Sequence, residues 1–361
     1  MPKKPLPTNP DHDRTGLPLT RRSFLGGLTA AALAGVAWPK EFLVAATTNQ
    51  QRDKYGELLP TRPLGRTGER VTMLGIGGQH FRWLPEDQIQ PAVEKAIAGG
   101  VRFFDTANSY GKDQLSERLY GQYLTPKYRD VIFLMTKSMA KDPETARQHL
   151  EWSLRNLKTD VIDLWQLHNV QSAAEAHARW DSGVVDVFLK AREEGKVRMI
   201  GFTGHHDFRA HKEMLTLFKK RGVPLQTAQM PVNVVDSSYD SFIKEVIPLA
   251  QEMGVGVLAM KSMCGGRLFG GFGEGWGVHG KTAAEPIVPD LLRLRDATDY
   301  VWSLPISVRI AGYDNLDQLQ EHIDAARYLR NLTPEEQANI LKIASQRSGP
   351  VMEFYKRDTL A

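Results

Sequence analysis

Four side chains able to hold or move protons stand at the ends of apolar runs in the first half of the sequence. Asp105 and Tyr110 lie in "FFDTANSYG", Lys137 ends "VIFLMTK", and His168 ends the apolar part of "VIDLWQLHN". A lysine at the end of an apolar run is poorly solvated, which disfavours its charge, so a carboxylate partner is expected and Asp105 is the available one. The ammonium in turn favours a tyrosinate, which is expected to lower Tyr110 from about 10 toward working pH. Tyr110 then serves as general acid for a substrate oxygen, while His168 donates a hydrogen bond that orients a carbonyl. Taken singly, each has a structural reading: a loop cap, a packed ring, a snorkelling lysine, a satisfied core histidine. Their place on consecutive apolar runs favours reading them together.

Such a cluster needs a scaffold that brings run ends to one face. Short β-branched or apolar runs at 71–76, 102–105, 131–136, 161–167, 198–203, 225–230, 255–260 and 306–311 predict eight strands. Between them, apolar residues recur at helical spacing, as in Ile89, Val93 and Ile97, in Ala146, Leu150, Leu154 and Leu157, and in Leu316, Leu319 and Ile323. Eight alternating strand and helix signals without an internal break fit an α/β fold of the (β/α)8 type, a single-domain TIM barrel whose ligands bind at the carboxyl ends of the strands. A doubly wound dinucleotide fold would require G-x-G-x-x-G after the first strand, and "GIGGQHF" does not supply it. Half of the residues from Gly265 to Gly280 are glycine, which reads as a lid or a disordered insertion after the seventh strand. The segments around 80–84, Asn169, Trp276 and Trp302 are expected to line a pocket, with Trp83 an apolar contact.

The amino terminus carries a different signal. "TRRSFLGG", residues 20–27, opens the weakly apolar run Phe24–Ala37, too short to cross a bilayer at ~20 residues. Twin arginines, a short apolar run and small residues before Ala46 resemble a twin-arginine (Tat) export signal, with cleavage expected after Ala46 or, alternatively, Ala37. The expected organisation is therefore a signal peptide at 1–46, a polar linker at 47–61 and the barrel with carboxy-terminal helices at 62–361. The expected location is periplasmic or otherwise exported, with the Tat machinery as a partner. The net charge of +4 belongs largely to the signal, since residues 47–361 hold 40 Lys/Arg and 39 Asp/Glu. No basic patch with interleaved aromatics indicates a nucleic-acid partner, and no membrane span is expected in the mature form. The single cysteine, Cys264, excludes an intramolecular disulfide.

Over residues 62–330 the sequence resembles the aldo-keto reductases. "RPLGRTGERVTMLGIGG" is similar to their amino-terminal hairpin and first strand, "FFDTANSYG" to their Asp-Thr-Ala-x-x-Tyr motif, and "VIDLWQLH" to their fourth-strand histidine motif. The resemblance implies an oxidoreductase that reduces aldehyde or ketone carbonyls, or oxidises the alcohols, by hydride transfer from an extended NAD(P)H. It makes Tyr110 the acid/base, with Lys137, Asp105 and His168 around it. It also implies cofactor contacts from Thr203, Gln229, Met260 and Lys261, and from Gly312, Gln318 and Glu321 toward the adenosine end. Gly204 stands where many relatives have asparagine, Gln318 where NADPH-preferring members carry arginine, and His322 where many carry asparagine. NADP(H) is the first expectation and NAD(H) the second. No metal site is expected, the adjacent His205, His206 and Asp207 lacking a spaced third ligand. The other reading is a cofactor-binding regulatory subunit of the same fold with little turnover.

Overall fold

The computed structural model describes residues 51–269 and 292–356. Eight parallel strands close into a barrel: β1 (Leu74–Gly77), β2 (Phe103–Asp105), β3 (Phe133–Ser138), β4 (Ile162–Leu167), β5 (Val197–Thr203), β6 (Thr227–Pro231), β7 (Gly256–Met260) and β8 (Val308–Ala311). The neighbours run in sequence order and β8 pairs back onto β1 through Arg309 opposite Leu74, completing the expected (β/α)8 architecture. Each strand falls within two or three residues of its expected span. The first differs most, because residues 71–72 belong to an antiparallel hairpin, Thr61–Pro63 with Arg70–Thr72, that precedes β1.

Residues 52–57, expected to lie in a polar linker, form a second small hairpin, Arg52–Asp53 with Gly56–Glu57. Asp53 accepts from Arg102 at 2.6 and 2.8 Å, and the nearby Leu59 is buried, so the folded unit extends amino-terminal of the expected boundary. These contacts lie about 50 residues apart in sequence and leave no local periodicity to read. Residues 1–46, with the twin-arginine signal, lie outside the described residues.

The principal helices are α1 (Glu86–Ala98), α2 (Leu115–Tyr123), α3 (Pro143–Leu157), α4 (Ala173–Asp181), α5 (Val184–Glu193), α6 (Phe208–Lys220), α7 (Ile247–Met253), α8 (Leu294–Ser303), α9 (Leu316–Arg327) and α10 (Pro334–Ser345). Their expected apolar stripes face the sheet: Ile89, Val93, Ile97, Ala146, Leu150, Leu157, Leu319 and Ile323 are buried. Inside the barrel, Phe103, Phe133, Met135, Leu164, Met199, Leu258, Val308 and Ile310 pack with Leu64 and Val71 of the hairpin segment. Phe103 and Phe133 stack with ring centroids 5.0 Å apart. Filling the barrel with apolar side chains stiffens the strands, and the polar side chains at their carboxyl ends inherit that rigidity.

Candidate functional site

Pairing of β2 with β3 sets Asp105 opposite Met135, and pairing of β3 with β4 sets Lys137 opposite Gln166. The carboxyl ends of these strands therefore carry Asp105, Lys137 and, just beyond β4, His168. The Lys137 ammonium forms an ion pair with the Asp105 carboxylate, donates to the Thr106 carbonyl at 2.7 Å and reaches the Tyr110 hydroxyl at 3.3 Å. Asp105 and Lys137 are almost fully buried, whereas Tyr110 and His168 remain partly accessible. The Tyr110 and His168 rings meet edge to face, 5.7 Å between centroids. The four residues that the sequence singled out thus converge.

Their electrostatics correct one expectation. Burial pulls the Lys137 ammonium downward, but the Asp105 charge and the interactions with Asp105 and Tyr110 more than offset it and hold Lys137 above the ordinary lysine value. Tyr110 was expected to fall toward working pH, and instead it rises. Burial disfavours the phenolate by more than the Lys137 charge favours it, and the nearby Asp105 charge opposes the pull of Lys137. Burial, helped by Lys137 and His205, drives His168 well below the ordinary histidine value, so its imidazole is neutral at pH 7. The site therefore presents a protonated phenol beside a neutral imidazole.

Further round the rim, Thr203 at the end of β5 lies opposite Gln229 of β6. The Gln229 amide donates to the Met260 sulfur at 3.7 Å and lies beside the Asp105 carboxylate, while its buried Oε1 has no partner among the described residues. Lys261, just past β7, is pushed down to about 8 by burial and by the like charge of Lys137. Thr203, Gln229, Met260 and Lys261 thus gather on the side of the mouth next to the four. An orphaned, buried amide oxygen suits a ligand carrying an amide N–H, and the carboxamide of a nicotinamide ring has one.

Gly312, Gln318 and Glu321 occupy the segment after β8, with no described contact to the four. A Cβ on Gly312 would lie 2.3 Å from the His80 ring, and His80 Nδ1 is 3.2 Å from Asp314 Oδ1. The Gln318 side-chain oxygen accepts from the Asp314 backbone at 2.8 Å, and Glu321 is exposed on α9. His322 bridges inward, within 3.2 Å of the Gly312 carbonyl and 3.4 Å of the Arg309 guanidinium.

Other sequence expectations fare differently. Asp207 caps α6, accepting from Arg209 at 2.8 Å. Among the described residues, no three His, Cys, Asp or Glu side chains are grouped to hold a metal ion, and no helix is long and apolar enough to cross a membrane. Trp302 does not line the mouth: it is buried, its indole donating to the Met73 carbonyl at the opposite end of β1. Trp83 is partly buried, with the Arg82 guanidinium 4.3 Å from its ring. Trp276 and most of the glycine-rich stretch lie outside the described residues. Sequence reasoning passed over Ser109, whose hydroxyl is 3.3 Å from His168 Nδ1, because a serine in a loop carries no signal of its own.

Comparison with known proteins agrees with this geometry. The family model "Aldo/keto reductase family" matches residues 73–344. An uncharacterised oxidoreductase of Bacillus subtilis is 31% identical over 230 residues, 57% of this chain and 67% of that one. The 6-dehydroglucose reductase of Novosphingobium aromaticivorans is 30% identical over 227 residues, 57% and 70% of the two chains. The holo-form structure of an aldo-keto reductase from Bacillus halodurans superposes with a TM-score of 0.65 at 22% identity, covering 83% of this chain and 100% of the other. A filled eight-stranded barrel, polar groups gathered at its strand ends and a family match across three quarters of the sequence lead to one assignment: the chain belongs to the aldo/keto reductase family and is an NAD(P)-dependent oxidoreductase.

Proposed function

We propose that this enzyme interconverts a small carbonyl compound and its alcohol, with Tyr110 as general acid/base. The observation that carries the reading is the Lys137 ammonium, ion-paired with Asp105 and 3.3 Å from the hydroxyl of the partly accessible Tyr110. A bound nicotinamide dinucleotide supplies or accepts the hydride. The chain's own residues manage the proton and the geometry. Tyr110 keeps its proton at neutral pH and gives it to the carbonyl oxygen, as the acid in a reduction must. Lys137 stabilises the phenolate that results, Asp105 keeps the lysine charged, and His168 holds the carbonyl oxygen as an uncharged donor. Thr203, Gln229, Met260 and Lys261 would hold the nicotinamide end, and Gly312, Gln318 and Glu321 the adenosine end.

Family membership favours NADP(H). The Asp314 carboxylate and the absence of a guanidinium at Gln318 favour NAD(H) as the second cofactor. The resemblance of residues 1–46 to a twin-arginine signal peptide supports export by the Tat route, which carries folded proteins, so that a dinucleotide can be loaded before export. Replacing Arg21 and Arg22 by lysine is expected to leave the protein in the cytoplasmic fraction.

The direct test is Tyr110→Phe, assayed for NADPH or NADH oxidation against an aldehyde and ketone panel. Turnover is expected to fall by roughly 10²–10⁴-fold with dinucleotide affinity near wild type. Unchanged turnover would remove Tyr110 from its role. A wild-type protein that binds dinucleotide tightly, turns over nothing in the panel and co-purifies with a fixed partner would instead be a regulatory subunit.

A further inference from the structure

A neutral imidazole has one N–H, and a histidine that orients a carbonyl is useful only if that proton sits on the nitrogen facing the substrate. Among the described residues, a single side chain hydrogen-bonds the His168 ring: the Ser109 hydroxyl, 3.3 Å from Nδ1. The backbone on either side of the ring is anchored, His168 N donating to the Ser138 carbonyl at 2.8 Å and Val170 N to the Thr203 carbonyl at 2.8 Å. The ring itself packs edge to face on Tyr110. Nδ1 is thus turned to Ser109, and Nε2 is the nitrogen left for a ligand. Ser109 makes no other side-chain hydrogen bond among the described residues and is exposed, so its hydroxyl proton is available to Nδ1.

We propose that Ser109 is a positioning residue for carbonyl binding: by donating its hydroxyl proton to Nδ1 it selects the Nε2–H tautomer of His168, so that a donor, not a lone pair, meets the substrate oxygen. This rests on the role given above to His168 and adds the group that sets its tautomer. With the opposite tautomer, Nδ1–H would donate to Ser109 and the Nε2 lone pair would repel the carbonyl oxygen. Burial and the neighbouring cations keep the ring neutral, so a second proton does not hide the difference between the two forms.

The tautomer can be read without turnover. In the full chain with ring-labelled histidine, heteronuclear NMR is expected to show His168 with a pyridine-like Nδ1 and the proton on Nε2, His168→Gln identifying the signals. A protonated Nδ1 would overturn the proposal. In kinetics, Ser109→Ala is expected to lower kcat about 3–10-fold with the KM for dinucleotide unchanged, and Ser109→Thr to restore it. Ser109→Asp can only accept and so forces the proton onto Nδ1. Its kcat should fall at neutral pH and recover on acidification, as an imidazolium with protons on both nitrogens forms. Ser109→Ala with wild-type kcat and pH profile, in an enzyme that Tyr110→Phe inactivates, would defeat the role of Ser109 alone. Full turnover by Tyr110→Phe would instead defeat the reading beneath it.

Discussion

Lys137 stands between Asp105 and Tyr110, ion-paired to the first and 3.3 Å from the hydroxyl of the second. Both charged partners are buried, so removing either leaves the other stranded, a loss that typically costs about 3–5 kcal/mol. Lys137→Met and Asp105→Asn are each expected to destabilise by that order, and the double variant by less than the sum of the two. Chemical denaturation of the three variants measures the coupling. Additive losses would show that the two charges do not depend on one another.

Gly204 occupies a position where an asparagine would collide with its surroundings. A Cβ there would lie 2.3 Å from the Val170 carbonyl oxygen and 3.0 Å from the His211 ring, because the loops after β4 and β5 approach closely. Gly204→Ala is expected to cost about 1–3 kcal/mol through overpacking, and Gly204→Asn at least as much. Thermal unfolding checks this, and an unchanged Tm would mean that the Val170 loop gives way freely. A side-chain amide at this place is therefore disfavoured by backbone proximity, and the orphaned Gln229 Oε1 on the next strand is left as an amide partner for a ligand.

The barrel and the converging four were legible in the sequence because both rest on local signals. Strands such as 162–167 and 197–203 are largely apolar and β-branched or aromatic, and a polar side chain ending such a segment is expected at the rim. What escaped was set by contacts distant in sequence. The hairpin at 52–57 depends on Asp53 meeting Arg102, and the burial of Trp302 on its bond to Met73. The direction of the Tyr110 shift was missed because proximity to Lys137 could be inferred, whereas the offsetting charge of Asp105 and the depth of burial could not be weighed. Lys356 lies in a buried cluster, 2.7 Å from Asp236 and 2.9 Å from Glu353, and no pattern in the sequence announces it.

The segment after β8 supports a prediction on cofactor choice. Asp314 places a carboxylate beside His80, and the Gln318 oxygen accepts from the Asp314 backbone, so position 318 offers a side-chain amide and not a guanidinium to a 2′-phosphate. Gln318→Arg is expected to raise the affinity for NADPH relative to NADH by about tenfold, and Asp314→Asn to shift the ratio in the same direction. Fluorescence titration with both dinucleotides measures it. A ratio that moves in neither variant would place the 2′-position away from this segment.

The carboxy-terminal cluster gives the stability a pH dependence of defined sign. Glu353 accepts from Asn233 Nδ2 at 2.9 Å, from the Tyr355 hydroxyl at 3.0 Å and from Lys356 at 2.9 Å, with Asp236 sharing the same lysine and Cys264 nearby. Burial, and then the Asp236 charge, push the Glu353 carboxyl up from the ordinary 4.5 to about 7. A carboxyl raised on folding binds its proton more tightly in the folded state. Its contribution to stability is therefore complete below about 4.5 and is lost as pH rises through about 7. Glu353→Gln, which cannot ionise, removes this loss while keeping a side chain of the same shape. The wild type is expected to lose Tm relative to the variant between pH 5 and 8, by roughly 2 °C or more. The relevant quantity is the change in that difference with pH, since a glutamine facing Lys356 lowers the absolute Tm of the variant at every pH. Parallel curves across the range would show that Glu353 is ionised throughout, stabilised by Lys356 strongly enough to outweigh both its burial and the second carboxylate.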